Sequence, residues 1–292
     1  MEFADPKNDL AFKKIFGDEN HKNILISFLN SVLDFKGNRT IVDVTLVNPE
    51  QVPKIEEMKF TVLDMHVINK NGERFIIEMQ KRDNFDFTKR SLYYTSKAYV
   101  QQLKKKESYD TLKKVYFIGL LNFNMFDNKN YISRHLILNK ETLKNEIKDF
   151  EFTFIELNKF KKDLDQLSDT LDRWVYFLKN AQKLDMIPKE YENIEEFKEA
   201  FTIATQYNWT TKEMQVYDWV QKKEMDATAE KYTAKRRIEE AEKKGIEKGI
   251  EKGKEDEKIN LAKNLLDILD DETIAIKTGL DILIVANLRE TD

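Results

Sequence analysis

The sequence contains no cysteine among its 292 residues, and histidine occurs at only three positions. The absence of thiols excludes disulfides, iron–sulfur clusters and thiolate zinc sites. The histidines, His21, His66 and His135, do not have the close spacing typical of paired metal ligands. A bound metal would therefore be held mainly by oxygen atoms, which favours Mg²⁺, with Mn²⁺ or Ca²⁺ as alternatives.

The sequence also lacks a long apolar run and an excess of charge of one sign. No stretch of about 18 or more apolar residues is present, and the N-terminus shows no signal-peptide pattern. We therefore expect a soluble cytoplasmic protein with no membrane partner. Lys and Arg number 49 against 53 Asp and Glu, which gives a formal net charge of −4. Nucleic-acid-binding proteins are more often basic, so any DNA affinity must come from a local positive surface or from a metal.

The hydrophobic pattern predicts an α/β or α+β core followed by a helical C-terminal region. Residues 8–35 carry two helical patterns, and residues 86–106 carry a third. The predicted strands are 41–47, 59–68, 73–80, 114–123, 132–138 and 152–157. Because helices and strands alternate, residues 1–160 are expected to form one core.

Beyond residue 160 the pattern is helical and falls into three predicted parts. These are a helical extension (161–240), a charged spacer (241–257) and a small helix-turn-helix-like unit (258–292). In the spacer, Gly recurs every fourth residue among Glu and Lys, and each Gly costs a helix about 1 kcal/mol relative to Ala. We interpret it as a flexible, solvated helix; the alternative is close helix–helix packing in a dimer. The last unit could contact DNA or serve as a cap or oligomerisation element.

The strands on either side of Lys70-Asn71-Gly72 predict a β-hairpin with a three-residue loop, in which Gly72 takes the left-handed conformation. In this register Asp64 lies across from Glu78, with Cβ atoms roughly 4.5–5.5 Å apart, and Gln80 shares their face. The opposite face is then continuous and apolar: Leu63, Met65, Val67, Phe75, Ile77 and Met79. A two-residue loop would separate the acids and break that apolar face, so the pattern favours the three-residue loop.

Two facing carboxylates repel one another, and Glu78 has apolar neighbours in the run 75–79. A divalent cation held by Asp64, Glu78, a backbone carbonyl and waters would relieve the repulsion and the cost of burial. Such a metal can polarise a phosphodiester and lower the pKa of a bound water. The same acids could instead be solvent-facing, or be satisfied as salt bridges by Arg74 and Arg90.

A set of segments spread over nearly the whole chain carries a resemblance. It comprises Asp9–Phe16, Phe28–Asn30, Leu63–Val67, Ile77–Gln80, Arg90–Tyr94, Tyr99–Leu103, Tyr109, Phe154–Phe160, the glycine-repeat tail and the Ile-Ala-x-x-Thr-Gly-Leu end. Taken together, they resemble the PD-(D/E)XK nuclease family transposases, also called recombination-promoting nucleases. The resemblance implies an α/β, restriction-endonuclease-like core with a mixed sheet flanked by helices. It also implies divalent-metal cleavage of DNA and a role in DNA recombination or transposition.

The resemblance also implies roles for single residues of the active site. Asp64 and Glu78 match the family's metal-binding acids. Gln80 stands where much of the wider superfamily has Lys, so its amide would hydrogen-bond to water or phosphate without supplying charge. Asp9 matches an acid of the first helix that binds metal directly or through water; the alternative is an N-cap.

On the following helix, Arg90 and Gln102 match recurring family positions and are expected to contact substrate. For Arg90 the alternative is a salt bridge with an acid of the site. His66 shares the face of Asp64, where a packed, hydrogen-bonding histidine is favoured over a general base. The tryptophans are expected in the core: Trp174, Trp209 and Trp219.

Three functions fit the sequence. The first is a metal-dependent DNA endonuclease, for which a homodimer would bring two sites to the two strands of a duplex. The second is a non-catalytic interaction or regulatory protein on a nuclease fold, which the net acidity and the charged tail would suit. The third is a defence nuclease that acts on RNA through the same site.

Overall fold

The computed structural model describes residues 1–47, 65–82 and 86–291. The chain divides into two compact units, Met1–Lys222 and Lys223–Asp292. The predicted boundary at residue 160 falls inside the first unit, because two later helices, α4 (Thr170–Asn180) and α5 (Glu195–Ala204), complete its core.

The first unit is built on a mixed sheet whose strand order is β1-β2-β3-β4-β6-β5. The strands, as described, are β1 (Val44–Leu46), β2 (Met65–Asn69), β3 (Arg74–Gln80), β4 (Val115–Leu121), β5 (Ile132–Leu136) and β6 (Phe150–Glu156). The neighbours β3, β4 and β6 are parallel, and the other pairings are antiparallel. The α/β class and the mixed sheet are as predicted.

The β2–β3 hairpin has the predicted register. Met65 pairs with Ile77 and Ile68 with Arg74, and the amide of Asn69 donates to the carbonyl of Glu73 over 3.1 Å. Gly72 has a φ of 81°, the left-handed conformation that the three-residue loop requires. Along β3, Phe75, Ile77 and Met79 therefore share one face of the sheet, as the apolar pattern predicted.

One face of the sheet is covered by four helices: α1 (Asp9–Phe16), α2 (Lys22–Leu33), α4 and α5. Their centre is aromatic. Phe16 and Phe28 lie with ring centroids 5.5 and 6.2 Å from that of Trp174, which is fully buried. The core role expected for Trp174 is confirmed, and Trp209 is also buried, whereas Trp219 is half-buried. We refer to this side as the four-helix face.

On the other face, the helix that packs on the sheet among the described residues is α3 (Phe87–Val100). Phe87 and Ala98 of this helix pack against Ile76, Phe117 and Phe154 of the sheet. Because β3 and β4 are parallel, the connection through α3 crosses back over the sheet, as βαβ units do. We refer to this side as the α3 face.

Gly119, at the centre of β4 and paired with Glu78, is required by close packing on the α3 face. A Cβ atom at this position would lie 2.8 Å from Cδ1 of Phe154 and 3.2 Å from Cε1 of Phe87, and both rings are buried. We predict that Gly119→Ala destabilises the first unit by about 2 kcal/mol through overpacking, which lowers Tm by about 6 °C in a thermal melt. Gly249→Ala is the control, because a Cβ there meets nothing within 4 Å. An unchanged Tm for Gly119→Ala would show that the rings of Phe87 and Phe154 shift to accommodate the methyl group without a cost in stability.

Several predicted elements are shorter than expected, most of all the first strand and the third helix. The strand expected at 41–47 is ordered as β1 only over Val44–Leu46, because the side-chain amide of Asn30 bonds both the N–H and the carbonyl of Ile41, over 2.8 and 2.9 Å. The helix expected at 86–106 ends at Val100. In the loop that follows, Lys106 has a φ of 78°, a left-handed conformation that an α-helix does not contain.

The second unit contains the end of α6 (Thr211–Leu265) together with α7 (Asp271–Thr278) and α8 (Ile282–Thr291). The spacer at 241–257 is helical, with exposed side chains. The small unit predicted to begin at residue 258 does not start with a helix of its own, because α6 continues through that position to Leu265. A small core follows, formed by Ala262, Leu266, Ile274 and Val285. Among the described residues, no helix combines the length and apolarity needed to cross a bilayer.

Candidate active site

The candidate site lies between β3 and α3. The side chains of Phe75, Ile77 and Met79 are buried in the core of the four-helix face, so alternation turns Glu78 toward α3. Glu78 is only 2% exposed. A charged carboxylate at such a depth requires a cation or several hydrogen bonds, and α3 brings a cation to it.

Arg90 supplies this charge from the first turn of α3. Its Nη2 atom donates to Oε1 of Glu78, and its guanidinium lies 5.6 Å from the ring of Phe87 and 5.8 Å from the ring of Tyr94. Burial by itself would lower the pKa of Arg90, but the Glu78 carboxylate and Tyr94 outweigh it and raise the pKa above the ordinary value. The salt bridge given above as the alternative role of Arg90 is therefore present in the structure.

Gln80, the last residue of β3, has the same orientation as Glu78, two residues earlier. It is half-buried at the carboxyl end of the parallel strands, where the amide of Asn122 donates to its carbonyl over 3.0 Å. The structure thus places Glu78, Gln80 and Arg90 together on the α3 face.

Asp64, the second predicted metal ligand, lies outside the described residues. Its position opposite Glu78 stays a prediction, based on a register that is confirmed over the adjacent pairs from Met65 onward. Among the described residues, no group of three His, Asp or Glu side chains is arranged to hold a metal ion. Glu78 contributes one hard oxygen donor of the kind that Mg²⁺ prefers.

Asp9 is the first residue of α1 and not its N-cap. The cap is Asn8, whose side chain accepts hydrogen bonds from the amides of Leu10 and Ala11 over 3.0 and 3.4 Å. The N-cap alternative for Asp9 is therefore wrong. Just upstream, Asp5 forms an ion pair with Lys81 at 3.5 Å, which ties the N-terminal segment to the end of β3. A metal-binding role for Asp9 stays a prediction.

Gln102 lies away from Glu78, at the opposite end of the sheet. Its side-chain amide donates to the carbonyl of Lys113 and accepts from the amide of the same residue, both over 2.9 Å. The next residue, Lys114, bonds Arg74 at the start of β3, about 13 Å along the strand from Glu78. The structure does not bring Gln102 into the group around Glu78.

His66 lies on the α3 face of β2, paired with Ile76, and is half-buried. Burial lowers its pKa, and the positive charges of Arg74 and Lys97 lower it further. The imidazole is therefore neutral at neutral pH, as expected for a packed histidine.

Glu156, at the end of β6, is a buried acid to which the sequence reasoning gave no role. Its carboxylate accepts from the amides of Met125 and Phe126 over 2.6 and 3.1 Å and from Nζ of Lys159 over 2.7 Å. It is fully buried, and it fixes the connection that follows β4. Glu156 and Lys159 belong to the segment Phe154–Phe160, which contributed to the resemblance and was the signal that could have identified them.

Comparison with known proteins agrees with this architecture. The family model described as PD-(D/E)XK nuclease family transposase matches residues 6–234, a span that includes all six strands and α1 to α5. Comparisons with curated proteins and with solved structures find no match. Because the matched span is well over half of the 292 residues, this chain belongs to the PD-(D/E)XK nuclease family transposases.

Proposed function

We propose that the protein is a divalent-metal-dependent DNA endonuclease whose site is centred on Glu78 and Asp64. The observation that carries this proposal is the burial of the Glu78 carboxylate beside Arg90, on the face that also carries Gln80. The Glu-x-Gln sequence on β3 matches the (D/E)-x-K part of the signature that gives the family its name, with Gln in place of Lys. By the resemblance, we further propose a role in DNA recombination or transposition.

The donor chemistry of the site suits a hard cation. Glu78 and Asp64 would hold Mg²⁺, or Mn²⁺ or Ca²⁺ in its place, through carboxylate oxygens, with Asp9 as a candidate third acid. When bound, the metal would supply Lewis acidity and a water of lowered pKa.

Arg90 compensates for the absence of a lysine two residues after Glu78. Gln80 donates hydrogen bonds but carries no charge, whereas Arg90 brings a permanent positive charge to the same face. The Arg90 side chain is 29% exposed, and a guanidinium has five N–H donors. While it pairs with Glu78, it keeps donors that can bind a phosphate oxygen of the substrate. Arg90 thus neutralises Glu78 and positions the scissile phosphate.

Cleavage assays test this function. Purified protein is incubated with supercoiled plasmid, and separately with RNA of matching sequence, in Mg²⁺, Mn²⁺, Ca²⁺ or EDTA. We expect plasmid nicking with Mg²⁺ or Mn²⁺, none in EDTA, and loss of nicking in Asp64→Asn but not in Asp127→Asn, a change at an exposed acid.

Three other results would contradict the proposal. Cleavage of RNA but not of plasmid would support the RNA nuclease. Folded protein that cleaves neither would support the non-catalytic interaction protein. Nicking that survives in Asp64→Asn would indicate a contaminating nuclease.

A further inference from the structure

Positive charge is concentrated in one segment of this acidic chain. Residues 81–114 contain ten basic and four acidic residues, a formal charge of +6, whereas the whole chain carries −4. The segment follows β3, and its described part includes α3 and the loop that leads to β4. Three of these basic residues pair with acids outside the segment: Lys81 with Asp5, Arg90 with Glu78 and Lys114 with Glu151. The exposed lysines of α3 and of the loop after it supply the local positive charge that a nucleic-acid binder needs.

The outward side of α3 presents a defined stripe. Phe87, Ser91, Thr95 and Ala98 are buried against the sheet, which leaves Lys89, Tyr93 and Lys97 exposed at every fourth position. We call these three residues the α3 stripe. Tyr93 is 61% exposed, and the two lysines that flank it are about 12 Å apart along the helix axis. An aromatic ring is thus held in solvent between two cations.

The stripe leads to the loop 103–112, which carries the exposed residues Lys104, Lys105 and Lys106. Gln102 closes this loop through its paired hydrogen bonds with the backbone of Lys113. Within the loop, the amide of Lys104 donates to Oε2 of Glu107 over 2.8 Å. We call 103–112 the lysine loop. Gln102 acts on it as a positioning residue.

We infer that the α3 stripe and the lysine loop bind a single nucleic-acid strand outside the cleavage site, with phosphates on the lysines and one base stacked on Tyr93. The inference rests on the proposed function, because the strand would belong to the DNA that the Glu78 site cleaves. Alternating cation and aromatic contacts match a single strand, which offers both phosphates and unpaired base faces. A duplex hides its base faces, so Tyr93 favours the single strand.

Binding is measured by fluorescence anisotropy with a labelled single-stranded oligonucleotide and its duplex, in EDTA and over a range of KCl concentrations. We expect tighter binding of the single strand. Lys89→Gln/Lys97→Gln should weaken it by about tenfold and reduce the salt slope by about 1.4, since each phosphate contact on a single strand contributes about 0.7. Tyr93→Ala should cost about tenfold, and Tyr93→Phe should bind like wild type because stacking needs only the ring.

Matched controls are available in the first unit. Lys140→Gln/Lys144→Gln removes the same charge from the exposed loop after β5, and Tyr207→Ala removes a tyrosine that is 95% exposed; both should bind like wild type. Unchanged affinity in both the double-lysine variant and Tyr93→Ala would overturn the inference. Binding to vesicles that contain anionic lipid, with none to the oligonucleotide, would overturn it too. Because EDTA prevents metal-dependent cleavage, this result is independent of whether the protein proves to be a nuclease.

Discussion

Glu78→Gln is expected to reduce plasmid nicking by about a hundredfold to a thousandfold, the range seen when one preorganised electrostatic group is removed from an active site. The substitution keeps the shape of the side chain and removes the charge that pairs with Arg90 and that is proposed to hold the cation. Initial rates of nicking at saturating Mg²⁺ measure the loss, and thermal melting checks the fold, with Tm expected within about 5 °C of wild type.

Glu151→Gln is the matched control for this loss. Glu151 is also an acid on the sheet with a cation partner, Lys114, at 2.7 Å, but it lies on β6, away from Glu78. It should keep nearly full activity. Wild-type rates in Glu78→Gln would remove Glu78 from the chemistry and leave the site as a structural ion pair.

Asp172→Asn is expected to produce the largest loss of stability, about 3 kcal/mol, since it removes the charge from a buried, fully engaged carboxylate. Asp172 is fully buried on α4. It accepts from Tyr131 Oη over 2.9 Å, from Lys162 Nζ over 2.6 Å, and from the amide and hydroxyl of Ser168 over 3.0 and 2.7 Å. In the asparagine variant, the side-chain NH₂ group would face these N–H and O–H donors, and no hydrogen bond could form there. Tm should fall by about 9 °C.

The same carboxylate gives a pH dependence of known sign. Burial would raise the pKa of Asp172, but hydrogen bonds from Lys162, Ser168 and Tyr131 outweigh it and lower the pKa from 3.8 to about 2. The folded state therefore gains stability from this group above about pH 4 and loses it as the pH falls toward 2. The loss is about 2 kcal/mol, and Asp172→Asn should lack this part of the acid sensitivity.

Urea unfolding at several pH values separates the two effects. Asp165→Asn, a change at an exposed acid in the same region, should leave Tm within about 1 °C of wild type. Equal acid sensitivity in wild type and Asp172→Asn would show that other carboxylates dominate acid unfolding.

The sequence predicted the hairpin and the face of Glu78 well, because one turn residue and an alternating apolar pattern fix both. Gly72 selects the loop, and Phe75, Ile77 and Met79 select the buried side. The pairing of Glu78 with Arg90 could only be stated as an alternative, since it depends on how α3 packs across β3 after a crossover that no local pattern specifies.

The roles of Gln102 and Glu156 could not be predicted from local pattern at all. Both side chains bond backbone groups of irregular segments, at Lys113 and at Met125 and Phe126. Such partners carry no residue-type signature, because every backbone offers the same donors and acceptors. A family position alone could not distinguish a residue that touches substrate from one that shapes a loop.

Different helices pack on the two faces of the sheet, so neighbouring residues of β3 tolerate substitution to different degrees. Ile77 projects beneath four helices, where a lost methylene group leaves a void. Glu78, one residue later, projects toward α3, where a polar replacement alters chemistry before it alters folding. Changes in substrate preference that leave folding intact should therefore be found at Gln80 and on the exposed side of α3, while Phe75, Ile77 and Met79 stay apolar.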